Sequence, residues 1–272
     1  MLIFCYIEMV LEEIKEKKEY HGLNDNFVRR VMKPYELKYN IYEPKQRKRF
    51  VKEVRAKLRI LYGAFLLPTN KKRYDILNKI KTWDDKENCE KVLKMHLSTR
   101  ERFRHYDKIY SWLKTKTKIH TVFDIGCGFN IFSMPWLGNV HYYGLEINKD
   151  DVDFCNAFLN KFKLTGAIRY GDVFDFDKFM RVDVVFLFKV LEGFEALERG
   201  FTERLLKKLD CDYVLVSFAT RSLGGGKIIS EKRLKWFLEL VDVVERKKFG
   251  DEVYFLCKKK GSTDSFGFKG FV

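Results

Sequence analysis

The stretch 122-VFDIGCGFN-130 decides the fold of this chain. A short apolar run, residues 122–125, comes directly before two glycines, and a helical pattern follows them. Glycines at the end of a strand permit a tight turn and let a ligand approach the backbone at the N-terminus of the next helix. We therefore predict a strand, a ligand-binding loop and a helix, with Gly126, Gly128 and Asn130 at the ligand.

Two further strand ends carry acidic residues. Glu146 ends the next strand, about twenty residues after the loop, where a carboxylate can accept hydrogen bonds from both hydroxyls of a ribose. Asp172 and Val173 follow the third strand, and Asp172 can reach the amino group of an adenine there. Three such features at three consecutive strand ends predict a cofactor that contains adenosine.

The two cofactors to be separated are NAD and S-adenosylmethionine. The dinucleotide fingerprint has a third glycine three residues after the second, and Ile131 occupies that position. Two late strands, at about 241–247 and 253–258, are joined around residues 249–252 and predict an antiparallel end to the sheet, which is usual in methyltransferases. The sequence therefore favours S-adenosylmethionine.

The hydrophobic pattern of the chain changes near residue 120. Residues 6–113 show helical spacing with amphipathic runs such as 45–65, whereas short apolar runs alternate with helical stretches from residue 121 onward. That alternation predicts a parallel sheet with helices on both faces. The expected fold is α/β, a Rossmann-like class I methyltransferase with a parallel sheet and one antiparallel strand, preceded by an all-helical domain.

Positive charge is concentrated in the front of the chain. Residues 1–118 contain 30 Lys and Arg against 16 Asp and Glu, whereas residues 119–272 contain 23 against 22. Such enrichment is expected of a surface that follows nucleic-acid phosphates, although a solvated helical face would also be charged. We expect a basic helical domain at 1–118 that docks on structured RNA, a methyltransferase domain at 119–260 and a tail at 261–272.

The composition and the start of the sequence also give expectations about metal sites, membrane contact and the source of the chain. The six cysteines occur singly without a C-x-x-C pair, so neither a zinc site nor a disulfide frame is expected. The apolar opening is broken by Glu8 and lacks the pattern of a signal peptide, so we expect no membrane contact and a cytoplasmic location. A single glutamine, Gln46, among abundant Lys and Glu is a bias towards a heat-adapted source.

Four segments form a further set: 54-VRAKLRILYGAFL-66, 96-HLSTRER-102 followed by Asp107 and Tyr110, the loop 124–136 with Pro135-Trp136, and 217-SFATRSLG-224. Together they resemble the ribosomal RNA guanine-N7 methyltransferases of aminoglycoside resistance, which modify a decoding-site guanine of small-subunit RNA. The resemblance covers about residues 20–260. The chain departs from the family's usual pattern in Ile131, which replaces a proline, in Glu146, which replaces an aspartate, and in the less basic stretch 224–227.

The resemblance implies a guanine-N7 methyltransferase and gives roles to individual residues. Arg102 would pair with the cofactor carboxylate, although a surface ion pair would also explain it. Lys189, at the end of the fourth strand, would contact an RNA phosphate or the target base, with a lysine that merely reaches solvent as the alternative. Arg221, with Thr220 and Ser222, would hold a flipped nucleotide. Lys189 and Arg221 are thus the expected catalytic residues.

The front domain supplies the remaining candidates. One predicted helix carries basic residues on more than one face, so only some of them can contact RNA together. The expected RNA-binding residues there are Arg47, Lys48, Lys52 and Arg55. The leading substrate is small-subunit ribosomal RNA. A transfer RNA guanine methyltransferase, a noncatalytic RNA-binding or assembly factor and a small-molecule methyltransferase remain open alternatives.

Overall fold

The computed structural model describes residues 2–63, 72–222 and 226–259, with side chains from residue 6 onward. Parts of two family-like segments, residues 64–66 and 223–224, lie outside the described residues. The predicted tail, 261–272, lies outside them as well.

The described residues form one mixed sheet of seven strands. The strands are β1 (Thr121–Ile125), β2 (His141–Glu146), β3 (Gly166–Tyr170), β4 (Val182–Phe188), β5 (Cys211–Ala219), β6 (Val241–Phe249) and β7 (Glu252–Lys259). Their order is β3-β2-β1-β4-β5-β7-β6. β1 to β5 pair in parallel, and β7 runs antiparallel to both β5 and β6. This confirms the predicted α/β fold with one antiparallel strand.

Helices cover the sheet and precede it. They are α1 (Leu2–Lys15), α2 (Asp25–Glu36), α3 (Pro44–Leu61), α4 (Arg73–Lys79), α5 (Lys86–Leu93), α6 (Leu97–Arg102), α7 (Tyr106–Lys114), α8 (Met134–Leu137), α9 (Lys149–Lys161), α10 (Leu191–Leu197), α11 (Phe201–Lys208) and α12 (Lys235–Leu238). Asn24 and Asn148 cap α2 and α9 by accepting backbone N–H groups, and Pro44 stands in the first turn of α3. No helix within the described ranges is long and apolar enough to cross a membrane.

The helical front packs as two groups. Helices α1 to α3, residues 2–61, enclose a hydrophobic core of their own, and we call them the front bundle. Residues from α4 to α7, including Tyr106 and Tyr110, instead belong to the core on one face of the sheet. The predicted boundary between residues 118 and 119 falls between α7 and β1 and stays a prediction.

The front bundle is hydrogen-bonded directly to the end of β2. The backbone N–H of Asn24 donates to the Ile147 carbonyl oxygen at 2.8 Å. The N–H of Lys149 donates to the Gly22 carbonyl oxygen, also at 2.8 Å. A Cβ on Gly22 would lie 2.8 Å from Asn148 Oδ1, so glycine permits this close approach. The bundle therefore stands at the edge of the sheet where the predicted ligand site lies.

Candidate active site

A cavity of about 320 Å³ opens at the carboxyl ends of the parallel strands. Its volume is in the range of small-molecule sites, and open α/β sheets bind their ligands at this edge. The sequence-predicted residues that line it are Gly126, Gly128, Glu146, Asp172, Val173 and Lys189. The structure thus brings the three predicted strand ends together around one cavity.

The glycine loop requires glycine at both positions. Gly126 has a φ of +70° and Gly128 a φ of +46°, in the left-handed region that L side chains rarely adopt. A Cβ on Gly126 would lie 2.7 Å from Val190 Cγ1. The Gly126 N–H donates to the Leu145 carbonyl oxygen at 2.8 Å, which fixes the loop against β2.

Glu146 presents a buried carboxylate beside this loop. Its oxygens accept N–H groups of Gly128 at 2.9 Å, Ile147 at 2.9 Å and Asn148 at 3.2 Å. Burial and the nearby Asp151 charge raise the pKa of Glu146 to about 7, against the effect of these donors. The carboxylate is therefore positioned for hydroxyl ligands and titrates near neutral pH.

Asp172, just after β3, is the second buried carboxylate that lines the cavity. Its side chain is 1% exposed, and Oδ1 accepts the backbone N–H of Phe174 at 3.2 Å. Oδ2 accepts Arg30 Nε at 3.1 Å. Burial raises the pKa of Asp172 although Arg30 favours its charged form. This carboxylate is held by α2 of the front bundle as well as by its own turn.

Asn130 is buried and does not line the first cavity. Its Nδ2 donates to Asp124 Oδ2 at 2.7 Å and its Oδ1 accepts the Tyr106 hydroxyl at 2.6 Å, inside the protein. It borders a small second cavity of about 20 Å³, which shares Gly126 and Ser98 with the first. These contacts order the loop, and contact of Asn130 with a cofactor stays a prediction.

Arg102 borders the same small cavity. It is 2% exposed, so it is not the surface residue of the alternative interpretation. Its Nη2 donates to Glu252 Oε2 at 3.3 Å and to Ser98 Oγ at 3.1 Å, and the guanidinium lies 4.5 Å from the ring centroid of Phe188. Despite burial, the charges of Glu252 and its neighbours raise the pKa of Arg102. A buried cation thus borders the small cavity, which shares lining residues with the first.

Lys189 supplies a second cation, which is largely covered. Its Nζ lies 2.6 Å from Glu101 Oε2 and 2.8 Å from Glu252 Oε1, and the side chain is 9% exposed. Its φ of +60° is uncommon for a residue with a side chain. Such conformations cluster at functional sites, where the surrounding structure holds them in place. The ammonium group is fixed by two carboxylates and does not simply extend into solvent.

Glu252 is the member of this cluster that sequence reasoning missed. It is the first residue of β7, is 3% exposed and accepts the Tyr254 hydroxyl at 2.8 Å. Burial alone would raise its pKa, but the Arg102 and Lys189 charges lower it to about 2. The only signal was a charged residue at the start of an apolar strand, because its partners are distant in the chain.

Thr220, Arg221 and Ser222 follow β5 but do not line the cavity. The Thr220 N–H donates to the Asp251 carbonyl oxygen at 2.8 Å, and Arg221 Nε lies 3.2 Å from Asp251 Oδ1. The Ser222 N–H donates to the Lys227 carbonyl oxygen at 2.8 Å. The Arg221 side chain is 44% exposed, whereas Thr220 is buried, so Arg221 is the residue of this segment that stands at the surface.

Two cavity walls were not predicted. The front bundle contributes Phe27, Lys57, Ile60 and Leu61, and α10 contributes Phe194 and Leu197 among others. The sequence assigned the front domain only to RNA docking. In the structure the front bundle also encloses the cofactor-sized cavity.

The four candidate RNA-binding residues of α3 divide into two kinds. Arg47 donates to the Tyr6 hydroxyl at 2.8 Å, and Arg55 donates to carbonyl oxygens at the end of α1. Lys48 and Lys52 are exposed. The two arginines therefore have internal partners, and the two lysines are accessible to phosphates.

Among the described side chains, no group of three or more His, Cys, Asp or Glu residues has the arrangement of a metal site. This finding concerns the described ranges alone.

Known proteins share both sequence and fold with this chain. The family model described as "Ribosomal RNA methyltransferase (FmrO)" matches residues 17–242. A 16S rRNA (guanine(1405)-N(7))-methyltransferase of Proteus mirabilis is 27% identical over 93% of this chain and 98% of its own length. The enzyme of the same name from Serratia marcescens is 27% identical over 94% and 99%.

Solved structures agree in fold. The 16S rRNA methyltransferase RmtF, in complex with S-adenosyl-L-homocysteine, superposes with a TM-score of 0.80 at 24% identity, covering 93% of this chain and 97% of that one. The 16S rRNA methylase RmtB superposes with a TM-score of 0.77 at 24% identity, covering 93% and 98%. The sheet and the helical front are therefore arranged as in these proteins.

Proposed function

Because this chain belongs to the FmrO family of ribosomal RNA methyltransferases, we propose that it methylates N7 of a guanine in small-subunit ribosomal RNA with S-adenosylmethionine as the methyl donor. The observation that carries the proposal is the cavity in which Gly126, Glu146 and Asp172 meet at neighbouring strand ends. The Proteus and Serratia relatives, named for guanine N7 of 16S rRNA, support the choice of target.

The residues around the cavity fit the cofactor group by group. The Glu146 carboxylate would accept the ribose hydroxyls, and Asp172 would accept the adenine amino group beside the Val173 backbone. The left-handed glycines let the chain pass close to the ligand without a side chain in the way. When bound, the cofactor supplies a methyl group on a positively charged sulfur.

The buried ionic cluster would set the geometry at the reacting end. Guanine N7 already carries a lone pair, so methyl transfer there needs no general base and depends on orientation. Arg102 would pair with the cofactor carboxylate across the small cavity, and Lys189 would face the incoming base or its phosphate. Glu252 would hold both cations in place through the ion pairs described above.

RNA would be bound by two surfaces. The exposed Lys48 and Lys52 of the front bundle would contact phosphates, which fix the protein on the RNA without reading its sequence. Thr220, Arg221 and Ser222, beside the site, would hold a target guanine that has swung out of its stack. Arg47 and Arg55 stay candidates for RNA contact, but each would have to leave an internal partner.

The RNA target is tested by offering labelled S-adenosylmethionine with three substrates: small ribosomal subunits, naked 16S rRNA and transfer RNA. We expect label in small-subunit RNA. Label confined to transfer RNA would keep the chemistry and replace the substrate. Cofactor binding without transfer to any RNA would favour the noncatalytic or the small-molecule alternative.

The heat-adapted source of the chain stays a prediction, and a melting temperature above about 90 °C would support it.

A further inference from the structure

One arginine of the front bundle reaches the end of the cavity that Asp172 lines. Arg30, on α2, donates from Nε to Asp172 Oδ2 at 3.1 Å and from Nη2 to Asp175 Oδ1 at 3.0 Å. Its guanidinium lies 4.3 Å from the ring centroid of Phe174, which lines the cavity. The arginine is thus held on two sides, by carboxylates and by an aromatic face.

The contacts of Asp172 leave room for a ligand. A carboxylate offers about four acceptor positions. In Asp172 one is taken by the Phe174 N–H and one by Arg30, so positions remain for another donor. A buried carboxylate without a cationic partner would tend to take up a proton or turn towards water.

We propose that Arg30 is a positioning residue for the cofactor, which holds the Asp172 carboxylate in place to accept the 6-amino group of adenine. The inference rests on the proposed function, since it requires S-adenosylmethionine in this cavity. It gives the front bundle a part in selecting the cofactor, in addition to docking RNA.

The attachment of the front bundle does not depend on Arg30 alone. Asn26 Nδ2 donates to Asp175 Oδ2 at 2.7 Å, and the backbone bonds between the bundle and residues 147–149 remain when Arg30 is shortened. We therefore expect Arg30→Ala to leave the bundle docked. Its neighbour Arg29 provides a matched control, because Arg29 pairs with Glu8 within the bundle and has a similar exposure.

The test is calorimetric titration with two ligands, S-adenosylhomocysteine and its inosine analogue, in which an oxygen replaces the 6-amino group. We expect the wild-type chain to prefer the adenine ligand. Arg30→Ala should weaken that ligand about tenfold, as expected for the loss of a charge-assisted hydrogen bond, and change the inosine analogue by less than about twofold. Arg29→Ala should bind both ligands like the wild type.

Three results would overturn the inference. The first is unchanged affinity of Arg30→Ala for S-adenosylhomocysteine. The second is an equal loss for both ligands, which would mark a general structural role. The third is the absence of S-adenosylhomocysteine binding by the wild-type chain, which would also remove the proposed function. Only the third result would overturn the proposed function. The first two would overturn the role of Arg30 and leave the cofactor assignment unchanged.

Discussion

Lys189 forms an ion pair with the buried Glu252 at the edge of the cavity, with Nζ 2.8 Å from Oε1. Lys189 follows β4 and Glu252 begins β7, so the pair joins two strands that are not neighbours in the sheet. Because Glu252 also pairs with Arg102, one carboxylate bridges two cations, and Glu101 gives Lys189 a second partner. Both the stability of the folded chain and methyl transfer should depend on that arrangement.

Removal of the Glu252 charge should destabilise the protein and stop methyl transfer. Glu252→Gln would leave Arg102 buried without its carboxylate, a change that typically costs about 3–5 kcal/mol. We expect a loss of about 3 kcal/mol in the free energy of unfolding, measured by urea denaturation. The control is Asp177→Asn, whose carboxylate is 94% exposed and should change little. Equal stability of the two variants would contradict the role of Glu252.

Cofactor binding should weaken in mild acid. The ribose hydroxyls need the ionised form of Glu146, whose pKa is raised to about 7. The ionised fraction therefore falls roughly tenfold between about pH 8 and pH 6, and the affinity for S-adenosylhomocysteine should fall with it. Glu146→Gln should bind weakly with a flat profile, whereas Glu203→Gln, on the surface, should keep the wild-type profile.

Glu146 should affect the stability of the ligand-free protein in the opposite sense to cofactor affinity: its contribution to stability should fall as the pH rises. The pKa of Glu146 in the folded chain lies above its ordinary value of 4.5, so the folded state holds this proton more tightly than the unfolded state. The stabilisation that protonated Glu146 gives the folded state is therefore fully present below about pH 4.5 and is lost as the pH rises through 7. Urea denaturation of Glu146→Gln should show less loss of stability over that window than the wild type. An identical slope would contradict the raised pKa.

Gly126→Ala should impair the site through backbone strain. The left-handed φ and the 2.7 Å approach to Val190 leave no place for a Cβ. We expect at least a tenfold loss of S-adenosylhomocysteine affinity and about 1–2 kcal/mol of lost stability. Gly226→Ala is the matched control, because a Cβ there would meet nothing within 4 Å. Wild-type affinity in Gly126→Ala would show that the loop does not contact the cofactor.

The basic residues of α3 should separate into RNA-binding and structural groups. Lys48→Ala combined with Lys52→Ala should weaken binding to small ribosomal subunits and reduce the slope of affinity against salt by about one for each lost phosphate contact. Protein stability should stay unchanged. Arg55→Ala should instead lower stability by about 1–2 kcal/mol, because it loses hydrogen bonds to the Ile14 and Glu13 carbonyl oxygens. The reverse pattern would contradict this division.

The sequence predicted those features that depend on local patterns. The alternation of apolar runs identified the sheet, and β4 is buried along almost its whole length because helices cover both of its faces. Glycines after β1 and acids after β2 and β3 located the cavity, because parallel strands place these ends at one edge.

Contacts between distant parts of the chain could not be predicted. Arg102 and Glu252 are 150 residues apart, and Arg30 and Asp172 are 142 apart, with no periodicity that links them. Helix α10 was missed because it has seven residues and contains Gly193, so its helical signal is weak. The position of the front bundle involves such distant contacts as well, through Arg30 and the backbone hydrogen bonds to residues 147–149.

The central claim is that this chain methylates N7 of a guanine in small-subunit ribosomal RNA from the cavity bounded by Glu146. The most direct measurement is mass spectrometry of 16S rRNA digested after incubation of small ribosomal subunits with S-adenosylmethionine and the wild-type, Glu146→Ala or Arg221→Ala chain. We predict one new 7-methylguanosine, which both variants lose. A methyl group on another atom, or full activity of Glu146→Ala, would contradict the claim.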